Sequence, residues 1–154
     1  MAHRLHHGAI CVDDVEASLR FYRDGLGLAV LVDQVFEGDW PALFGAPSRS
    51  LRSVMLGDPA RPDAGIVELV VFGGVGPDHA GSAGSEVVST SPSPPPRRGF
   101  FLLSFFVDVP ATLTRLAALG YHQVRRIEQP GPRGPVLMAT VYDPNGVLVE
   151  LIGA

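Results

Sequence analysis

His7, Glu68 and Glu150 are the residues of this chain whose types and placement could do chemistry together. Side chains alternate across a strand. That alternation gathers Ile66, Glu68 and Val70 on one face, and Leu148, Glu150 and Ile152 on another, while Val67, Leu69, Val149 and Leu151 pack behind. Two carboxylates therefore stand on otherwise apolar faces. An ionised carboxylate buried without a partner is strongly unfavourable, so each glutamate calls for a cation, a donor or a raised pKa. His7 shares its face with Ala9 and Cys11, opposite the Gly8, Ile10 and Val12 face that suits packing under a helix. A divalent metal held by His7, Glu68 and Glu150 would satisfy all three groups at once.

The elements that position these residues come from a repeat. Val-Asp-Asp-Val-Glu-Ala-Ser-Leu from Val12 recurs as Phe-Val-Asp-Val-Pro-Ala-Thr-Leu from Phe106. Asp58-Pro59 leads through Gly65 to Glu68, and Asp143-Pro144 leads through Gly146 to Glu150. In the first half the pattern predicts a strand from Leu5 to Val12, a helix capped by Asp14 and carrying Leu19, Phe21, Tyr22 and Leu26, and a strand from Leu28 to Phe36. A loop from Gly38 to Ser50 follows, then strands at Arg52 to Leu56 and Ile66 to Phe72. The second half predicts a strand from Phe100 to Val107, a helix from Val109 to Leu119, and strands near Tyr121 to Ile127, Val136 to Tyr142 and Val147 to Ile152. Asp-Pro at Asp58 and Asp143 reads as turn chemistry alone. The expected fold is α+β, with two βαβββ modules forming a curved mixed sheet around a cavity. One domain over 1–154 divides into a module at 4–72, a Gly/Ser/Pro-rich linker at 73–98 and a module at 99–154.

Composition narrows the partners. Hydrophobic residues make up 46% of the chain, enough for a core, and the net charge of −4 without a basic cluster argues against nucleic acid. No long apolar span points to a membrane. One cysteine excludes an internal disulfide and suits a reducing compartment, so the expectation is a cytoplasmic protein with a small-molecule substrate or ligand.

Two stretches carry a resemblance: the run from His7 to Leu28, and Asp-Pro-Asn-Gly-Val-Leu-Val-Glu-Leu from Asp143. With them the chain resembles the vicinal oxygen chelate superfamily, which includes glyoxalase I, methylmalonyl-CoA epimerase, extradiol dioxygenases and the bleomycin-resistance proteins. The resemblance implies metal ligands at His7, Glu68 and Glu150, with the two glutamates catalytic, on Mn, Zn, Fe, Ni or Mg. It also implies a homodimer, as in many relatives. The fourth ligand position fails: counting back from Asp108 as His7 counts back from Asp14 lands on Phe101. His79 lies in the linker and His122 on a later strand. An extradiol dioxygenase needs two His and a carboxylate on iron and is disfavoured. What remains is metal-assisted lyase or isomerase chemistry on a small oxygenated metabolite.

The alternative is a metal-free protein of bleomycin-resistance type that sequesters a drug or aromatic metabolite. Phe101, Leu103 and Phe105 would then form an aromatic wall. Arg52 is a candidate for an anionic substrate group, and Trp40 and Phe44 for a lid. Cys11 shares the face of His7, although a lone cysteine more often packs as a small hydrophobe. His6 points to the face opposite His7, where packing or surface exposure is the simpler role.

Overall fold

The computed structural model describes residues 5–73, 98–132 and 134–153. The linker reading at 73–98, and His79 with it, falls largely outside these residues.

Each half runs strand, helix, three strands. The first has β1 (His7–Cys11), α1 (Val15–Leu19), β2 (Ala29–Glu37), a short α2 (Trp40–Phe44), β3 (Ser50–Gly57) and β4 (Ile66–Phe72). The second has β5 (Leu103–Val107), α3 (Val109–Ala118), β6 (Arg125–Gly131), β7 (Gly134–Tyr142) and β8 (Leu148–Gly153). The curved sheet is built from two four-stranded mixed sheets, ordered β1-β4-β3-β2 and β5-β8-β7-β6. In each, the first strand lies parallel to the last, and the other pairs are antiparallel. The inner edges approach each other at Gly8, where an added Cβ would sit 3.7 Å from Leu103 Cδ2.

The repeated aspartates cap the helices. Asp14 accepts from Ala17 N at 2.9 Å, and Asp108 accepts from Ala111 N at 3.0 Å. Beyond Leu19 the first helix widens into a π-helical segment, Arg20–Gly25, in which Leu26 N–H bonds to Phe21 C=O. The widened turn lets Phe21 and Tyr22, adjacent in sequence, both point inward and be fully buried. Burial of each ring is worth roughly 1.5–3 kcal/mol. Phe21 meets Tyr121 edge-on at 4.9 Å, and Tyr22 Oη donates to Asp143 Oδ2 at 2.9 Å, so this segment joins the halves. Arg115 Nε adds a bond to Gly25 C=O at 2.9 Å. The core contains Val54, Leu56, Val67 and Leu69 from one sheet and Val109, Leu116, Val149 and Leu151 from the other half.

Two readings change here. Gly38 to Ser50 holds a helical turn, with Pro41 in its first turn and Gly45 as its left-handed cap. Asp143 is more than a turn residue: it is buried and accepts from Tyr22, from Asn145 N and Nδ2, and from Val147 N. Among the described residues no helix is long and apolar enough to cross a membrane.

Candidate active site

The parallel register of β1 on β4 sets Ala9 beside Glu68 and His7 beside Ile66, all on one face. His7 and Glu68 are thus diagonal neighbours, and His7 Nε2 lies 3.2 Å from Glu68 Oε2. From the other side, β3 places Met55 opposite Glu68 and Ser53 opposite Val70. Ser53 Oγ, in a buried residue, donates to Glu68 Oε1 at 2.5 Å. Ser53 thus hydrogen-bonds one carboxylate oxygen, and the His7 ring stands against the other. The Glu68 side chain is only 12% exposed, against 38% for His7, so the histidine forms the open side of the pair. His6 Nδ1 reaches His7 Nδ1 at 2.8 Å, which corrects the expectation that the two histidines part company.

In the second half Ser104 lies beside Glu150 and Thr140 opposite it. Ser104 Oγ donates to Glu150 Oε2 at 2.7 Å. Ser104 is the counterpart of Ala9, so the counterpart of His7 is Leu102. Counting from the helix caps gave Phe101 because two residues separate Cys11 from Asp14, whereas one separates its counterpart Phe106 from Asp108. The shorter connection shifts the frame by one. The same shift overturns the aromatic wall: Leu103 and Phe105 pair with Val149 and Leu151 and pack against the core. Ser104 and the exposed Phe106 take the site face instead. Phe101 is exposed and precedes the strand.

A family model described as the Glyoxalase/Bleomycin resistance protein/Dioxygenase superfamily matches residues 4–151. The chain belongs to this superfamily. The lactoylglutathione lyase-like protein terB of Aspergillus terreus is 34% identical over 155 residues, covering 96% of this chain and 74% of that protein. Among solved structures, a glyoxalase family protein from Bacillus cereus matches with a TM-score of 0.67 at 17% identity, covering 99% of this chain and 95% of the other. The trypanothione-dependent glyoxalase I of Leishmania major matches with a TM-score of 0.58 at 24% identity, covering 99% and 87%. These two likenesses carry the fold.

Members of the glyoxalase superfamily commonly use divalent metals. In this member, among the described residues, no three His, Cys, Asp or Glu side chains are grouped to hold one. His7 and Glu68 engage each other, Glu150 is engaged by Ser104, and the fourth position is an aliphatic Leu102. As placed, the donor set does not fit a metal.

The remaining candidates separate by face. Arg52 lies on the helix side of its sheet, where its guanidinium grips Asp33 through two bonds of 2.9 and 2.8 Å. Those hydrogen bonds hold the Asp33 carboxyl below its usual range. Arg52 is thus a structural partner and faces away from Glu68. Cys11 keeps the face of His7 and is exposed, against the expectation of a small buried hydrophobe. Trp40 and Phe44 stack on each other, and Phe44 also meets Phe72 on the site face of β4. Sequence reasoning missed Ser53, Ser104 and Phe106. For Ser53 a signal existed: it is a polar residue on the apolar stripe with Leu51 and Met55, the same anomaly that marks Glu68.

Proposed function

We propose that this chain is a glyoxalase-like lyase or isomerase in which Glu68 moves a proton on a small oxygenated metabolite. The observation that carries this reading is the little-exposed Glu68 carboxylate with His7 on one oxygen and Ser53 on the other. Such a group is fixed in orientation and stands against an apolar surface, as a general base requires. The name of the lactoylglutathione lyase-like relative supports the same reaction class.

The step acts on a carbon that bears hydrogen and oxygen next to a carbonyl. Glu68 takes the proton, and the C–H electron pair forms the C=C bond of an enediolate while the carbonyl oxygen gains the negative charge. His7 Nε2, 3.2 Å from the Glu68 carboxylate, is placed to donate to that oxygen. Return of the proton to the neighbouring carbon, with the hydroxyl proton passing from its own oxygen to the former carbonyl oxygen, gives the isomer, and return to the same carbon gives exchange with solvent. A metal-assisted form would require Glu150 and a further donor to join the His7 and Glu68 pair, so the proposal assigns the step to side chains alone.

The test follows hydrogen exchange by proton NMR in D2O on α-hydroxy ketones and on the methylglyoxal–glutathione adduct. Wild-type protein exchanges or isomerises at least one of them, and Glu68→Gln loses about 100-fold or more in rate. Equal rates for wild type and Glu68→Gln would overturn the proposal. Elemental analysis of protein purified without chelator runs beside it. A near-stoichiometric divalent metal that disappears in His7→Ala would overturn the side-chain-only route. Binding without any turnover would move the reading to a sequestering protein.

A further inference from the structure

We infer that the free edge of β6 pairs antiparallel with the same edge of a second copy of this chain, about a twofold axis at Ile127. The inference stands apart from the proposed chemistry and names an interaction surface. Among the described residues β6 ends its sheet, paired with β7 alone, and Arg125 to Pro130 are all exposed. Its residues pair with β7 without a register shift, so the free edge is regular. The other sheet ends on β2, where an irregularity between Val30 and Val32 interrupts the ladder and Asp33 is already bound to Arg52. A bulged edge resists further pairing, and a regular one invites it.

The ladder shows which groups this edge offers. Pro130 lies opposite Pro135, and neither has an N–H, so this is a position at which an antiparallel pair exchanges no bonds. Bonded and unbonded positions alternate along the ladder. Glu128 and Arg126 therefore turn their N–H and C=O away from β7, to the free edge. Their side chains stand on the helix side of the sheet, beside Leu137 and Ala139 of β7, and no described residue holds either in an ion pair. Ile127, between them, points to the site face and is 53% exposed. It ends an apolar row that runs from Phe106 through Ile152 and Met138.

Charge selects the partner and the register. Charged side chains and proline on an edge usually guard it against pairing. Here the two charges are opposite in sign and placed symmetrically about Ile127. A second copy centred there sets Arg126 opposite Glu128 of the second copy, and Glu128 opposite its Arg126. In each of these equivalent pairs both main-chain bonds form. Opposite charges across a strand pair stabilise it, and like charges directly opposite destabilise it. Sliding the copy two residues either way sets Arg126 on Arg126 or Glu128 on Glu128. Sliding it one residue sets side chains of one face opposite those of the other. At the axis Ile127 meets Ile127, which joins the two apolar rows, and Arg125 faces Gln129. An unrelated strand would need this same order of charges, whereas a second copy carries it.

Sedimentation velocity over a concentration series tests the pairing on wild-type protein, Arg126→Glu, Glu128→Arg and an equimolar mixture of the two variants. Wild type forms a reversible dimer that added salt weakens. Each variant alone sets like charges opposite one another and raises the dimer Kd by about tenfold or more. In the mixture the two acidic side chains of one variant meet the two basic side chains of the other, and the dimer returns with one chain of each kind. That return also shows that both variants are folded. As a second readout, Ile127→Cys in a Cys11→Ser background closes an intermolecular disulfide on mild oxidation, because facing residues at an unbonded antiparallel position come within disulfide range. Wild type that stays monomeric throughout the series, a dimer unchanged in either variant alone, or folded variants that fail to associate when mixed would overturn the inference. Where a charge variant loses its fold, absence of the disulfide in the Ile127→Cys protein overturns it.

Discussion

The two halves repeat one backbone plan and surround their glutamates differently. In the first, the row across the sheet reads Ala9, Glu68, Met55 and Val32; in the second it reads Ser104, Glu150, Thr140 and Arg125. Glu68 takes both its partners from adjacent rows, Ser53 from the Val70 row and His7 from the Ile66 row, and Leu102 fills the place of His7 beside Glu150. The Asp-Pro turns diverge in the opposite sense. Asp58 sits at the surface, bonded to Ala60 N and loosely paired with Arg61, while Asp143 is buried and tied to Tyr22 of the other half. The first half thus holds the carboxylate proposed to transfer the proton, and the second supplies the turn that locks the halves together. A repeat transmits positions, and the neighbours at each position assign the role.

This division of labour can be broken at its structural end first. Asp143→Ala strands the Tyr22 hydroxyl and three other donors and destabilises the protein by about 3 kcal/mol, whereas Asp58→Ala costs about 0.5 kcal/mol or less. Chemical denaturation of the two variants makes the comparison. Gly25→Ala comes next. An added Cβ would lie 2.5 Å from Leu116 Cδ2 in the buried seam between halves, and overpacking of this kind costs about 2 kcal/mol. A midpoint equal to wild type would show that the seam is loose.

Tyr22→Phe removes one buried hydrogen bond and costs about 1 kcal/mol near neutral pH. It also changes the alkaline limb. Burial, and then the Asp143 charge and hydrogen bond, raise the Tyr22 pKa far above its ordinary value of 10.0. Above pH 10 the unfolded tyrosine loses its proton while the native one keeps it, so native stability falls as pH rises. Tyr22→Phe flattens that fall, measured as stability against pH from 9 to 11. The smallest effect sharpens the comparison of the carboxylates. Ser53→Ala lowers the exchange rate about fivefold by removing one bond to Glu68, while Ser104→Ala leaves it unchanged.

How far the sequence reaches is clearest at particular residues. Alternation alone placed Glu68 and Glu150 on the face opposite Val67, Leu69, Val149 and Leu151, because parity within one strand needs no knowledge of its neighbours. β4 fills Ile66–Phe72 as its β-branched run implies, and α3 starts at Val109 behind its aspartate cap. Parity failed where a connection changed length: one residue fewer before Asp108 moved the site face from Phe101, Leu103 and Phe105 to Leu102, Ser104 and Phe106. Ser53 required the register of β3 on β4, which the long turn from Asp58 to Gly65 leaves open. The burial of Asp143 and the meeting of Tyr22 with it are tertiary facts, 121 residues apart in sequence. The π-helical widening that turns Phe21 and Tyr22 inward together has no marker in the helical spacing.

The central proposal, that Glu68 is the proton carrier and Glu150 is not, is tested most directly by Glu68→Gln and Glu150→Gln side by side in D2O exchange of an α-hydroxy ketone that the wild-type protein turns over. The account predicts a loss of about 100-fold or more for Glu68→Gln and a change within about threefold for Glu150→Gln. Equal losses in the two variants would contradict it and place both carboxylates in one shared site.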